Sequence, residues 1–180
     1  MLRGINISGH RMIRMDALKA LYADMGFKNT VTYIQSGNVI FQSQPAIISE
    51  LEKIISDGIR EKFGFDVPVI IKEMEELRHI IEANPFLIEP VKEISKIYLT
   101  FLSSVPKKEL YEKMSEGQNY EEEYQLIGNT IFIYCPNGYG NTKLSTNFIE
   151  NKLKVTATSR NWKTTLELLR MAEKLCSQII

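Results

Sequence analysis

Along the first half of the chain, the spacing of apolar positions changes several times between the alternation of strands and the period of helices. Alternation predicts strands over residues 1–7, 31–36, 39–41 and 67–71. Helical spacing predicts one helix that ends at Gly26 and a longer one that runs from Pro45 to Gly64. Between the middle two strands, Gly37-Asn38 predicts a tight hairpin turn. The order of elements is therefore β-α-β-β-α-β.

The second half repeats this order after a connecting helix over 74–81 and a segment that contains two prolines. Strands are predicted over 96–102, 124–127, 130–135 and 155–158, and helices over 106–114, 146–153 and 162–176. The pair Gly128-Asn129 predicts a second hairpin turn.

The repeat predicts an α+β fold of tandem ferredoxin-like (βαββαβ) units with antiparallel sheets and a C-terminal helix. The predicted divisions are a first unit at 1–72, a connecting helix and proline-containing linker at 73–94, and a second unit with the closing helix at 95–180.

Two further expectations concern geometry. In each unit we expect the loop after the first strand and the hairpin tip to lie at opposite ends of the sheet, and the loop over 138–145 to lie opposite Arg160. A site that combines these segments would then need both units.

Alternation also predicts that one face of the second sheet is aliphatic and that the other is aromatic, with Tyr98, Phe132 and Tyr134.

Composition indicates an ordinary globular protein, with 44% apolar and 24% charged residues. The chain has no run of about 18 apolar residues and no signal peptide pattern, so we expect a cytoplasmic protein without a membrane partner. Net charge is zero, which disfavours nonspecific DNA coating. Residues 1–30 hold five basic and two acidic side chains, whereas residues 45–90 hold five and ten, so an anionic ligand would suit the basic ends of the chain.

Four segments are candidates for a site, and each also has a structural interpretation. The loop over 6–14 combines a glycine with basic residues just before a helix, an arrangement that favours an anion. Its alternative interpretation is a simple surface turn. The loop over 138–145 contains Lys143 and Ser145, and the serine is also an obvious helix cap. At the start of the last helix, Trp162 either packs against other residues or stacks on a ligand. Gln35 and Ser36 are polar residues that the hairpin itself does not require. The candidate ligand-binding residues are Arg3, Asn6, Ser8, Gly9, His10, Arg11, Gln35, Ser36, Lys143, Ser145, Arg160, Asn161 and Trp162.

No cofactor or metal site is expected, and no catalytic residue is assigned. The sequence contains no GxSxG motif, no HExxH motif and no cluster of metal ligands. The acidic run from Glu121 to Glu123 is interpreted as solvated. Cys135 and Cys176 lie within apolar patterns, which predicts buried reduced thiols.

Seven sequence blocks follow one another along the chain: Leu2-Arg3-Gly4-Ile5-Asn6-Ile7-Ser8-Gly9 with Met15, Gly26-Phe27, Tyr33-Ile34-Gln35-Ser36-Gly37-Asn38-Val39, Phe63-Gly64-Phe65, Asn84-Pro85-Phe86, Gly138-Tyr139-Gly140 with Lys143-Leu144, and Arg160-Asn161-Trp162. In these blocks and in their order, the chain resembles the bacterial domain-of-unknown-function family numbered 1697. The resemblance implies two joined ferredoxin-like units and implies no activity. Family members usually begin several apolar residues earlier, so we expect a shortened first strand here.

Three functional hypotheses follow. The leading one is a binding module for a phosphate-bearing or otherwise anionic ligand, such as a nucleotide, a phosphorylated small molecule or RNA. The second is an enzyme that acts on such a ligand, with His10 as its acid or base. The third is an interaction protein that forms a homodimer.

Overall fold

The computed structural model of the chain describes residues 1–7, 9–88, 91–116 and 121–177. Within them the fold is α+β, with two antiparallel sheets and a C-terminal helix, as the sequence predicts. The helices and strands are α1 Met15–Asp24, β1 Lys28–Tyr33, β2 Asn38–Gln42, α2 Ile48–Phe63, α3 Met74–Glu82, β3 Ile97–Leu102, α4 Lys108–Ser115, β4 Glu123–Ile127, β5 Thr130–Tyr134, α5 Thr146–Leu153, β6 Ala157–Asn161 and α6 Trp162–Ser177.

The chain divides into two compact units. Among the described residues, unit 1 comprises those of Met1–Met74 together with 168–177, and unit 2 comprises those of Glu75–Glu167. Strands β1 and β2 form a sheet in unit 1, and β3, β4, β5 and β6 form a sheet in unit 2. Each unit also holds a cluster of buried apolar side chains drawn from its own residues, so each has a core of its own.

Unit 2 follows the order β-α-β-β-α-β from β3 to β6. Across the sheet the strands run β4-β5-β3-β6, and every neighbouring pair is antiparallel. Ile127 pairs with Thr130, so Gly128 and Asn129 form the predicted two-residue turn. Gly128 has a φ of 58°, a left-handed conformation that a tight hairpin turn requires and that glycine adopts without strain.

The prediction of one aliphatic and one aromatic sheet face in unit 2 is wrong. Tyr98 pairs with Ile133, and Leu99 pairs with Phe132. Because directly paired residues share a face, Tyr98 lies on the face of Ile133 and Phe132 lies on the opposite one. Phe132 is fully buried and Tyr98 stacks on Tyr139, so neither ring is available to a base. Alternation within a strand does not determine which residues of neighbouring strands share a face, because the register between the strands decides that.

The predicted strand over residues 1–7 does not form. Leu2 makes an isolated antiparallel bridge with Val69, and its N–H donates to Gly37 O at 2.8 Å. Gly4 and Asn6 have φ angles of 68° and 55°, which end the extended backbone after three residues. The segment nevertheless contributes to the core, because Leu2 is fully buried.

The hairpin of unit 1 has a longer turn than Gly37-Asn38 predicts. Tyr33 pairs with Asn38, so the turn comprises residues 34–37 and Asn38 belongs to β2. The fully buried Asn38 side chain donates to Ser36 Oγ at 2.9 Å and to Tyr33 O at 3.3 Å. These bonds hold the wider turn, which the Gly-Asn pattern does not indicate.

Helix ends follow the sequence more closely. Helix α2 begins at Ile48, three residues after Pro45, and ends at the left-handed Gly64 with a φ of 75°, as predicted. Ser145 caps α5, since its side chain accepts a hydrogen bond from Phe148 N–H at 3.3 Å. These signals are local, so tertiary packing has less influence on them.

Candidate functional site

Asn6 joins the loop after the first segment to the tip of the β1–β2 hairpin. Its Nδ2 donates to Ile13 O and to Gln35 O, both at 2.9 Å. Its Oδ1 accepts from Ile13 N–H at 2.8 Å. One side chain therefore connects three backbone segments, and it does so from a left-handed conformation that asparagine tolerates.

Residues 6, 7, 9–11 and 34–37, here called the paired turns, lie together at one end of unit 1. The expectation that they lie at opposite ends is wrong. A helical crossover returns the chain to its starting end, so the first segment and β1 run in the same direction and each leads into one of the two turns. The 2.9 Å bond from Asn6 to Gln35 is direct evidence of this juxtaposition.

The same correction applies in unit 2. Strands β5 and β6 both run antiparallel to β3 and are therefore parallel to each other. The loop over 138–145 follows β5 and so lies at the end where β6 finishes. Tyr139 Oη and Ser159 Oγ are 2.8 Å apart across this junction. A site that combines two predicted segments thus does not require both units.

The paired turns carry two basic side chains, His10 and Arg11, whose surroundings differ from those of nearby Arg14. Arg14 forms an ion pair with Asp16 at 2.6 Å, and the hydrogen bond from Arg14 lowers the pKa of that carboxyl. The His10 imidazole is exposed and the Arg11 guanidinium half-buried. Among the residues that the structure describes, neither group has a hydrogen-bond acceptor. Both are available to a ligand.

Backbone conformation brings Arg11 back across the turn. Arg11 has a φ of 46°, and its Nη1 lies 3.6 Å from the position that a Cβ would take at Gly4. Gly9 has a φ of 78° and open space around it. Arg3 is half-buried beside Gly4. Ser8, which the sequence predicts to contact the ligand, lies outside the described residues. Glycine thus permits both the turn and the approach of the guanidinium.

The two polar residues of the hairpin tip have different surroundings. Ser36 accepts a hydrogen bond from Asn38, so it supports the turn. Gln35 is exposed, and its backbone carbonyl receives the bond from Asn6. The Gln35 amide is therefore the freer of the two to meet a ligand.

Four hydroxyl groups form a network at the corresponding end of unit 2. Ser159 Oγ lies 2.7 Å from Thr100 Oγ1, 2.8 Å from Thr146 Oγ1 and 2.8 Å from Tyr139 Oη. Hydroxyl groups both donate and accept, so such a network satisfies its own members. It ties β3, β6, α5 and the loop after β5 together, and nothing in the sequence pattern indicates it.

The loop over 138–145 also borders a cavity of about 230 Å³, lined by Glu121, Glu122, Cys135, Pro136, Asn137, Gly138, Asn141 and Lys143. Burial by itself would raise the pKa of Glu122, but hydrogen bonds from Thr142 and from the Lys143 N–H hold it below its usual range. Burial raises the pKa of Cys135 to about 11, so this thiol is protonated near neutral pH. The cavity therefore holds ionised carboxylate beside Lys143, which disfavours a phosphate there.

Structural roles account for the predicted residues around α6. Asn161 Oδ1 accepts from Thr164 N–H at 2.7 Å and so caps the helix. Trp162 is buried, which favours its packing interpretation. Arg160 is buried as well, and its Nη1 donates to Thr158 Oγ1 at 2.8 Å and to Ser159 O at 2.7 Å. Burial lowers the pKa of Arg160 to about 10.

The two predicted buried thiols differ. Cys135 is buried, but Cys176 is exposed on α6. Helical periodicity in the last turns of the chain is a poor guide to burial, because few neighbouring elements remain to cover them.

The fold defines a class of two-unit α+β proteins with antiparallel sheets, and the described residues show no group of three or more His, Cys, Asp or Glu placed to hold a metal ion. None of the helices in the described part of the chain is long and apolar enough to cross a membrane. A sequence profile described as "Protein of unknown function (DUF1697)" matches residues 1–132. The chain therefore belongs to this family, as its resemblance implies. The motif blocks at Gly138 and Arg160 lie beyond the matched range.

A solved structure agrees with this fold. A conserved bacterial protein, SP0830 from Streptococcus pneumoniae, is 19% identical, with a TM-score of 0.71 over 96% of each chain. At this identity the likeness concerns the fold alone. No curated protein matches the chain.

Proposed function

We propose that the protein is a binding module for a phosphate-bearing or otherwise anionic ligand, held by the paired turns of unit 1. The observation that carries the proposal is the pair of basic side chains, His10 and Arg11, which have no hydrogen-bond acceptor among the described residues and lie on a turn fixed by Asn6. A preformed turn loses little conformational entropy on binding. Arginine presents a planar fork of donors that suits phosphate oxygens.

Local charge supports an anion at this position. Residues 1–42 contain five basic and two acidic side chains, and one of the acidic groups, Asp16, is already paired with Arg14. The cavity of unit 2 is less suitable, since two carboxylates line it beside one lysine. In this proposal Arg11, His10 and Gln35 contact the ligand, and Asn6 positions the turns.

The same proposal extends to architecture. We keep two ferredoxin-like units joined by the segment 73–94 as the interpretation of the fold, supported by the β-α-β-β-α-β order of unit 2 and its β4-β5-β3-β6 sheet. Cytoplasmic location remains an expectation from the sequence.

Binding can be tested by thermal shift and calorimetry with inorganic phosphate, nucleotides and short RNA at low salt, because a ligand that prefers the folded state raises the melting temperature. Replacing Arg11→Gln removes a charge-assisted hydrogen bond worth about 2 kcal/mol, so affinity should fall roughly thirty-fold. The matched control is Lys28→Gln, which removes an exposed charge at the far end of the same hairpin. Equal loss in both variants, or no binding of any phosphate-bearing ligand, would refute the proposal.

A further inference from the structure

Three aliphatic side chains around the paired turns are open to solvent. Ile7, Met12 and Ile34 are 59%, 60% and 51% exposed. Ile7 follows Asn6 directly, and Met12 and Ile34 each adjoin a residue whose carbonyl accepts a hydrogen bond from Asn6. The backbones of all three residues are thus held in one place, beside His10 and Arg11.

Ile34 is held there against its backbone preference. Its φ is 48°, a left-handed conformation that is an outlier for a β-branched residue and that asparagine or glycine adopts with less strain. Strained positions of this kind concentrate where a side chain has a binding role. An exposed isoleucine in this conformation contributes little to the core of unit 1.

The chemistry of the surface favours an aliphatic partner over a nucleobase. Every large apolar side chain found exposed in the described part of the chain is Ile, Leu, Val or Met, and none is aromatic. Base recognition on single strands relies on stacking against aromatic or guanidinium planes. The three aliphatic groups project from turns into solvent, so they can enter an apolar layer more readily than they can enclose a free molecule.

We propose that the paired turns dock on an anionic phospholipid bilayer. Arg11 and His10 contact headgroup phosphates, while Ile7, Met12 and Ile34 enter the boundary between headgroups and acyl chains. Cations near an anionic surface and apolar groups within the interface both favour this mode of binding. The inference rests on the proposed function, because headgroup phosphate is then the anion. The expectation of no membrane partner rested on the lack of a long apolar run in the sequence, and contact with a bilayer surface needs no spanning helix.

The test is co-sedimentation of the full chain with phosphatidylcholine vesicles that contain or lack phosphatidylglycerol. We expect binding only to the anionic vesicles, with loss at high salt. Replacing Ile34→Asn should weaken partitioning roughly ten-fold by removing apolar contact, without harm to the fold, since asparagine accepts this backbone. Met12→Ser provides a second variant with an equivalent loss. The matched control is Ile54→Asn, since Ile54 is 50% exposed on α2 and should behave as wild type.

The outcomes separate this inference from the proposed function. Binding of inorganic phosphate, nucleotides or RNA without vesicle binding would overturn the bilayer inference and leave the anion site intact. The bilayer inference would also be overturned if Ile34→Asn and Ile54→Asn changed vesicle binding equally. Failure to bind both soluble anions and vesicles would reject both proposals.

Discussion

Gly37 is the residue on which the geometry of the paired turns depends most sharply, and Gly37→Ala tests it. The φ of Gly37 is 76°. A Cβ at this position would lie 2.7 Å from Leu2 Cβ and 3.0 Å from two carbons of Ile5. Leu2 and Ile5 are both buried, so they have little room to move away.

The expected cost has two parts. A left-handed alanine is strained by about 1 kcal/mol. Forcing a methyl group against buried Leu2 and Ile5 adds about 2 kcal/mol of overpacking. The free energy of unfolding should therefore fall by about 3 kcal/mol, which for a chain of this size lowers the melting temperature by about 9 °C.

Gly64→Ala is the matched control for this substitution. Gly64 has nearly the same φ, 75°, but open space around its Cβ position. It should lose only the strain of about 1 kcal/mol. Urea denaturation followed by far-UV circular dichroism measures both variants. Equal losses would refute the packing of the first segment against the hairpin turn.

Three further predictions follow from single contacts. Asn6→Gly keeps the permitted backbone but removes three hydrogen bonds, so we expect a loss of about 3 kcal/mol by urea denaturation; a loss below about 1 kcal/mol would contradict its connecting role. Ser159→Ala breaks the hydroxyl network and should cost about 2 kcal/mol in the same assay, whereas a neutral result would deny the network a part in stability. A thiol reagent at about pH 8 should modify exposed Cys176 but not Cys135, whose raised pKa leaves little thiolate. Two rapidly reacting thiols in folded protein would contradict this burial.

Local signals made several features predictable. The two-residue turn at Gly128, the end of α2 at Gly64 and the caps at Ser145 and Asn161 all depend on a residue's own backbone preference or on a side chain that reaches a few positions along the chain. The cationic loop around Arg11 was likewise predictable as a candidate, because glycine and basic residues are visible in sequence.

Features that join distant segments were missed. The proximity of Asn6 to Gln35 depends on the direction of each strand, and the exposure of Ile34 depends on which side of the turn faces solvent. The hydroxyl network around Ser159 brings together residues from four elements. None of these relations has a signature in the spacing of residues along the chain.

By itself the sequence determined the α+β class, the family, the element order of unit 2 and the candidate basic residues, since periodicity, turn chemistry and charge are properties of neighbouring residues. Tertiary structure alone decided which candidates meet. It brought the paired turns together through Asn6, buried Trp162 and Arg160, and left His10 and Arg11 without acceptors in the part of the chain that the structure describes. The physical reason is that register, strand direction and burial arise from contacts between segments far apart in the chain.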